Sequence, residues 1–219
     1  QQTAALSLQG PKSRAILNRA CEQPVDGLRY FRMAFNRIAG KAVSVSRTGY
    51  TGDLGYEVWC ATPDALTVWD ALWDASRGNG VLPYGLAALY MLRIEAGLLL
   101  LGKDFDSTRF AFNDAHRPTP LELRWARTFN ALTDDDRAFI GRHALEREMA
   151  DESSRWKMSG LVVDWEDYDR VYGEAGLIPP KDHAPVHEDW MVYDDEGKRV
   201  GYATSFMYSP VLQRHIALA

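Results

Sequence analysis

The chain has 219 residues, 46% of them hydrophobic and 25% charged, with a formal net charge of −5. Such values are ordinary for a globular protein, and the length allows one large domain or two modest ones around a buried core. The acidic balance argues against a nucleic-acid surface, which phosphates would select to be basic, and the apolar run at residues 98–101 is far too short to span a bilayer. No signal-peptide pattern opens the sequence. Cys21 and Cys60 are too few and too far apart for a zinc site or a disulfide framework. Both read as buried thiols in a reducing compartment, the cytoplasm or an organelle matrix, and not in a secreted protein.

In chain order, residues 13–20 read as a short helix with Ala15, Ile16 and Leu17 apolar. Residues 28–35 are aromatic and β-prone, and Gly40 separates them from a strand in which Val43 and Val45 alternate with Ser44 and Ser46. A helix follows, with Thr62 as N-cap, Pro63 at its first position, and Leu66, Trp69, Leu72 and Trp73 on one stripe directed to the core. Gly78 and Gly80 end it. Pro83 and Gly85 precede a second helix closed by Gly97, whose Arg93 and Glu95 read as buried charges satisfied by nearby backbone. From 105 to 120 the chain is irregular, with Arg109, His116 and Arg117 among prolines, and reads as the crossing between two domains. Beyond it, 157–163 and 190–193 read as strands, and Asp194-Asp-Glu-Gly197 as a hairpin turn into a strand at 200–204. Residues 164–188 show no clear periodicity and read as an inserted loop.

The most informative stretch is Ser46-Arg-Thr-Gly-Tyr-Thr-Gly-Asp-Leu-Gly-Tyr-Glu-Val-Trp59. It crowds glycines and turn formers between two strand-like runs. On the second run Tyr56, Val58 and Cys60 share one face, so Glu57 and Trp59 share the other. From spacing alone this reads as a hairpin with a solvated glutamate.

Four blocks resemble one family in order: the SRTGYTGDLGYE signature, Gly85-Leu-Ala-Ala-Leu-Tyr-Met-Leu-Arg-Ile-Glu-Ala-Gly97, Phe139-Ile-Gly-Arg-His-Ala-Leu145, and Gly201-Tyr-Ala-Thr-Ser-Phe-Met-Tyr-Ser-Pro210 with Ile216-Ala-Leu-Ala219. They are similar to those of the glycine cleavage T-protein (aminomethyltransferase) family of folate-dependent one-carbon enzymes. The resemblance implies an α+β protein: the C-terminal part of an α/β folate-binding domain at 1–115, then a small all-β barrel domain at 116–219 with its insertion near 164–188. It also implies that the chain lacks residues at both ends, since its first residues match a segment well inside the family's first domain.

By the same resemblance the cofactor is tetrahydrofolate. The partners are a small-molecule one-carbon donor and, for a glycine-derived donor, a lipoyl carrier protein. Glu57 matches the carboxylate that accepts two parallel hydrogen bonds from the amino group and ring N–H of a pterin, Tyr50 matches an aromatic lining the folate pocket, and Trp59 can pack on a flat ring. The family's catalytic aspartate falls upstream of residue 1, so no residue takes that role. Asp53 reads as a turn former, and nothing in the sequence requires Asp104 to reach the cleft. Leu89 and Tyr90 stand where aminomethyltransferases have arginine and aspartate, and a leucine cannot replace a planar cationic fork. Demethylation of N-, S- or aryl O-methyl compounds onto tetrahydrofolate therefore stays open. So does a folate-binding regulatory or assembly module without turnover. His183 and His187 sit in a proline-rich loop and are not read as metal ligands. The run Phe206-Met207-Tyr208, in a loop at 204–210, is expected to face the folate domain.

Overall fold

The computed structural model describes residues 2–107, 109–111, 117–133, 137–180, 184–186 and 188–219; His116, His183 and His187 lie outside them. The chain divides into two compact units, Gln1–Leu98 and Leu99–Ala219.

The first unit is an antiparallel sheet with two of its three helices packed on one face. Its strands are β1 (Thr3–Gln9), β2 (Met33–Ile38), β3 (Lys41–Ser46) and β4 (Gly55–Ala61), in the order β1-β4-β3-β2, with each neighbouring pair antiparallel. The helices are α1 (Ser13–Ala20), α2 (Ala65–Ala75) and α3 (Leu86–Glu95). Strict alternation sends Val43, Val45, Tyr56, Val58 and Cys60 to one face, where they pack with Leu17 of α1 and Val68 and Leu72 of α2 in a common core. The opposite face of β4 is left to Glu57 and Trp59.

Several local expectations need correction. The aromatic run at 28–35 becomes a strand only from Met33, because the chain turns through 28–32 with Phe31 in the left-handed region. Thr62 and Pro63 lie in a short 3-10 turn, Thr62–Asp64, and the α-helix starts at Ala65. The tryptophans expected in the core are not in it. Val68 and Leu72 are the buried residues of α2, whereas Trp69 and Trp73 stay about two-fifths exposed and stack on each other, centroids 6.3 Å apart. Arg93 fits the expectation: it is fully buried and donates to the Leu98 carbonyl at 3.3 Å.

The second unit begins with helices α4 (Ala126–Thr133) and α5 (Arg142–Ala150). Then come β5 (Gly160–Val162), α6 (Trp165–Glu174), β6 (Trp190–Tyr193), β7 (Arg199–Ala203), β8 (Ser205–Ser209) and β9 (Arg214–Leu218). β5-β9-β8 form one antiparallel sheet and β6-β7 a hairpin. From residue 175 onward every element among the described residues is a strand. The hairpin turn is the expected one: Asp194 Oδ1 accepts the Glu196 and Lys198 amides, and Gly197 takes a positive φ.

Two readings here are corrected. The insertion is partly helical: Asp164 caps α6 by accepting the Glu166 and Asp167 amides at 2.9 and 3.1 Å, while Trp165 and Tyr168 pack their rings on His215 of β9. The segment read as a loop at 204–210 contains strand β8. Alternation buries Ser205, Met207 and Ser209 fully, and Phe206 stacks between Trp190 and His215.

Candidate functional site

Between β3 and β4 the chain makes the Gly-rich crossing of residues 47–54. Gly52 adopts φ +78, open to glycine at little cost, and a Cβ there would strike the Ala96 methyl just past α3. The crossing thus rests closely on the end of α3. Within it the Tyr50 hydroxyl donates toward the Leu98 carbonyl at 3.5 Å. Asp53 is exposed and accepts the Leu54 amide at 3.1 Å, the turn-forming role expected of it.

Glu57 is half-buried in the middle of β4, flanked by Ser7 on β1 and Ser46 on β3. Its Oε2 accepts the Thr48 hydroxyl at 2.9 Å and lies 3.4 Å from the Ser46 hydroxyl, and those two hydroxyls are 2.8 Å apart. Its Oε1 accepts no hydrogen bond among the described residues. A carboxylate offers about four acceptor positions, so one oxygen is steered by the protein while the other keeps its capacity. Trp59 follows on the same face, 41% exposed, flanked by Ala5 and Ser44. Every ladder neighbour of Glu57 and Trp59 is therefore alanine or serine, while one strand further out the exposed Met33 and Phe35 of β2 pair with Ser46 and Ser44 on the same face. From the sequence Ser46 takes a place in the strand alternation but no site role, and Thr48 takes none, although their period-two spacing ahead of the turn is a usable signal.

A cavity of about 670 Å³ lies along β1 and is lined by Ala5, Ser7 and Gln9, so it adjoins the strand neighbours of Glu57 and Trp59. Trp69, Trp73, Leu82 and Leu89 line it, and Tyr84 reaches the Ser7 hydroxyl at 3.0 Å. Tyr50, Glu57 and Trp59 are not part of its lining. Leu89, read by resemblance as standing at an arginine position, is one of the lining residues.

Asp104 belongs to the second unit and is 3% exposed. It accepts from the Leu100 amide at 2.7 Å, the Thr204 hydroxyl at 2.6 Å and the Ser205 hydroxyl at 2.7 Å. It holds the 100–105 turn to the β7–β8 junction and is a structural carboxylate. Both thiols are pushed up by burial, Cys21 to about 11, which keeps them protonated and inert near neutral pH.

Residues 1–123 match the model of the GCVT N-terminal domain, and residues 175–219 match the glycine cleavage T-protein C-terminal barrel domain. The trimethylamine-oxide aldolase of Ruegeria pomeroyi is 37% identical over 222 residues, covering 98% of this chain and 24% of that protein. The aminomethyltransferase of Halothermothrix orenii is 32% identical over 215 residues, covering 98% of this chain and 52% of its own length. The chain therefore spans about half or less of these curated relatives. Aminomethyltransferase T from Bartonella henselae shares the fold with a TM-score of 0.55 at 16% identity, over 99% of this chain and 75% of that one. A mixed α/β unit followed by a barrel-type unit, two family models in order, and relatives along nearly the whole chain agree: this chain belongs to the glycine cleavage T-protein family.

Proposed function

We propose that the chain takes part in tetrahydrofolate-dependent transfer of a one-carbon unit, aminomethyl or methyl, from a small amine or methylated donor. The observation that carries this reading is Glu57, a carboxylate set among small strand neighbours beside an exposed indole, with one oxygen oriented by Thr48 and Ser46. Those residues fit a pterin. The amino group and ring N–H of the pterin edge match two carboxylate oxygens, and the flat ring matches Trp59. Tyr50, in the crossing, completes the proposed binding set. Bound tetrahydrofolate supplies the nucleophilic nitrogen that accepts the carbon. The chain's own residues hold the folate in one orientation, which removes much of the entropic barrier. The acid–base role is assigned to no residue of the chain.

The fold alone would not carry a donor. Leu89 on an apolar wall, and a 37% identical relative named for trimethylamine-oxide, favour a methylated amine over a carrier-bound glycine fragment. A lipoyl carrier protein is a partner only for the latter. The test is turnover: the protein is incubated with tetrahydrofolate and each of dimethylglycine, sarcosine and a lipoyl-bound aminomethyl donor. Conversion with one donor is expected: methyltetrahydrofolate from dimethylglycine or sarcosine by transfer of an intact methyl group, or methylenetetrahydrofolate from the aminomethyl donor with release of ammonia. Tight folate binding by the full-length protein, with no conversion of these donors or of S-methyl and aryl O-methyl compounds, would make it a binding module instead.

A further inference from the structure

Gln9 is the last residue of β1 and pairs with Gly55, the first of β4. Its amide Nε2 donates to the Tyr56 carbonyl at 3.2 Å and the Ser7 hydroxyl at 3.0 Å, and lies 3.5 Å from the Thr48 carbonyl. Its Oε1 accepts the Thr51 hydroxyl at 3.3 Å. One side-chain amide thus ties together the entry, the middle and the exit of the Gly-rich crossing.

The glycines of the crossing carry the same message. Gly52 has the positive φ that only glycine adopts easily, but Gly49 and Gly55 do not. Their need is for space. A Cβ at either position would overlap the Gln9 amide oxygen. Two glycines of the signature are therefore explained by the side chain they admit, not by the backbone they allow.

We infer that Gln9 is a positioning residue for Glu57. It fixes the backbone at Thr48, whose hydroxyl orients the Glu57 carboxylate, so a pterin edge meets a preset acceptor instead of a rotating one. This rests on the assignment of Glu57 to the pterin. Preorganisation of this kind acts on affinity through the ordering that binding no longer has to supply.

Double-mutant cycles with tetrahydrofolate titrations separate this role from simple support of the fold. Gln9→Ala should weaken binding about tenfold in the parent, the scale of one or two neutral hydrogen bonds, and less than about twofold in a Glu57→Gln background. Gly55→Ala should reproduce the Gln9→Ala loss by expelling the amide, and the two together should cost no more than either alone. If Gln9→Ala melts the fold, Gly49→Ala displaces the same amide with Gln9 retained, and the same coupling to Glu57→Gln is expected. Equal losses from Gln9→Ala in both backgrounds, or additive losses with Gly55→Ala, overturn the inference while the folate assignment stands. No loss from Glu57→Gln itself overturns that assignment instead.

Discussion

Thr48 and Glu57, nine residues apart, meet across the Gly-rich crossing: the hydroxyl donates to Oε2 at 2.9 Å. A flexible carboxylate on an open sheet face is thereby given one orientation, the condition for accepting two parallel bonds at once. Thr48→Val keeps the shape and removes the donor, leaving only the longer contact from Ser46. Tetrahydrofolate binding should weaken by about 1 kcal/mol, the net worth of one hydrogen bond, in calorimetric titration. The thermal midpoint should stay close to that of the parent.

Trp59 contributes to no core, so its replacement reports on ligand alone. Trp59→Ala should weaken folate by about 1 to 2 kcal/mol through lost ring packing, and Trp59→Phe should restore part of it. Unfolding free energies of both variants should lie within about 0.5 kcal/mol of the parent, as for exposed sites elsewhere. An unchanged affinity for Trp59→Ala would remove the indole from the site.

Asp104 behaves in the opposite way. Its truncation to alanine leaves the Thr204 and Ser205 hydroxyls and the Leu100 amide without this acceptor in a buried region. Urea denaturation should show a loss of about 2 to 4 kcal/mol for Asp104→Ala. Asp104→Asn, which keeps one acceptor oxygen, should lose less.

The signature was legible because strand alternation and turn glycines are local: β3, β4 and the shared face of Glu57 and Trp59 follow from spacing alone. So did α1, whose Ile16 and Leu17 are buried. What failed was anything set by neighbours distant in sequence. The spacing draws the α2 stripe through Leu66, Trp69, Leu72 and Trp73, but of these only Leu72 reaches the core, beside the smaller Val68, while the two tryptophans stack outside it. Helix α6 was hidden by its acidic composition, although Asp164 and the spacing of Trp165, Tyr168 and Tyr172 mark a capped helix with one aromatic side. At the site, Glu57 was visible as a residue type, but its orientation by Thr48 and the bracing by Gln9 depend on contacts 9 and 39 to 47 residues apart in sequence.

Burial raises the Cys21 thiol from 9.0 to about 11. Between those values the folded state keeps a proton that the unfolded chain has released, so stability falls as pH rises through this window and is independent of this group below it. Urea unfolding at pH about 8.5 and about 10.5 should show a steeper alkaline loss for the parent than for Cys21→Ala. Cys60 shifts in the same direction, so some slope should remain in the variant.

The central claim is that Glu57 receives the pterin. Glu57→Gln preserves the shape of the side chain while removing its charge and one acceptor, which turns two charge-assisted bonds into at most one neutral bond. Calorimetric titration with tetrahydrofolate should show binding weaker by about 2 to 4 kcal/mol with the thermal midpoint little changed. A Glu57→Gln protein that binds tetrahydrofolate as tightly as the parent would contradict the account and place the pterin elsewhere.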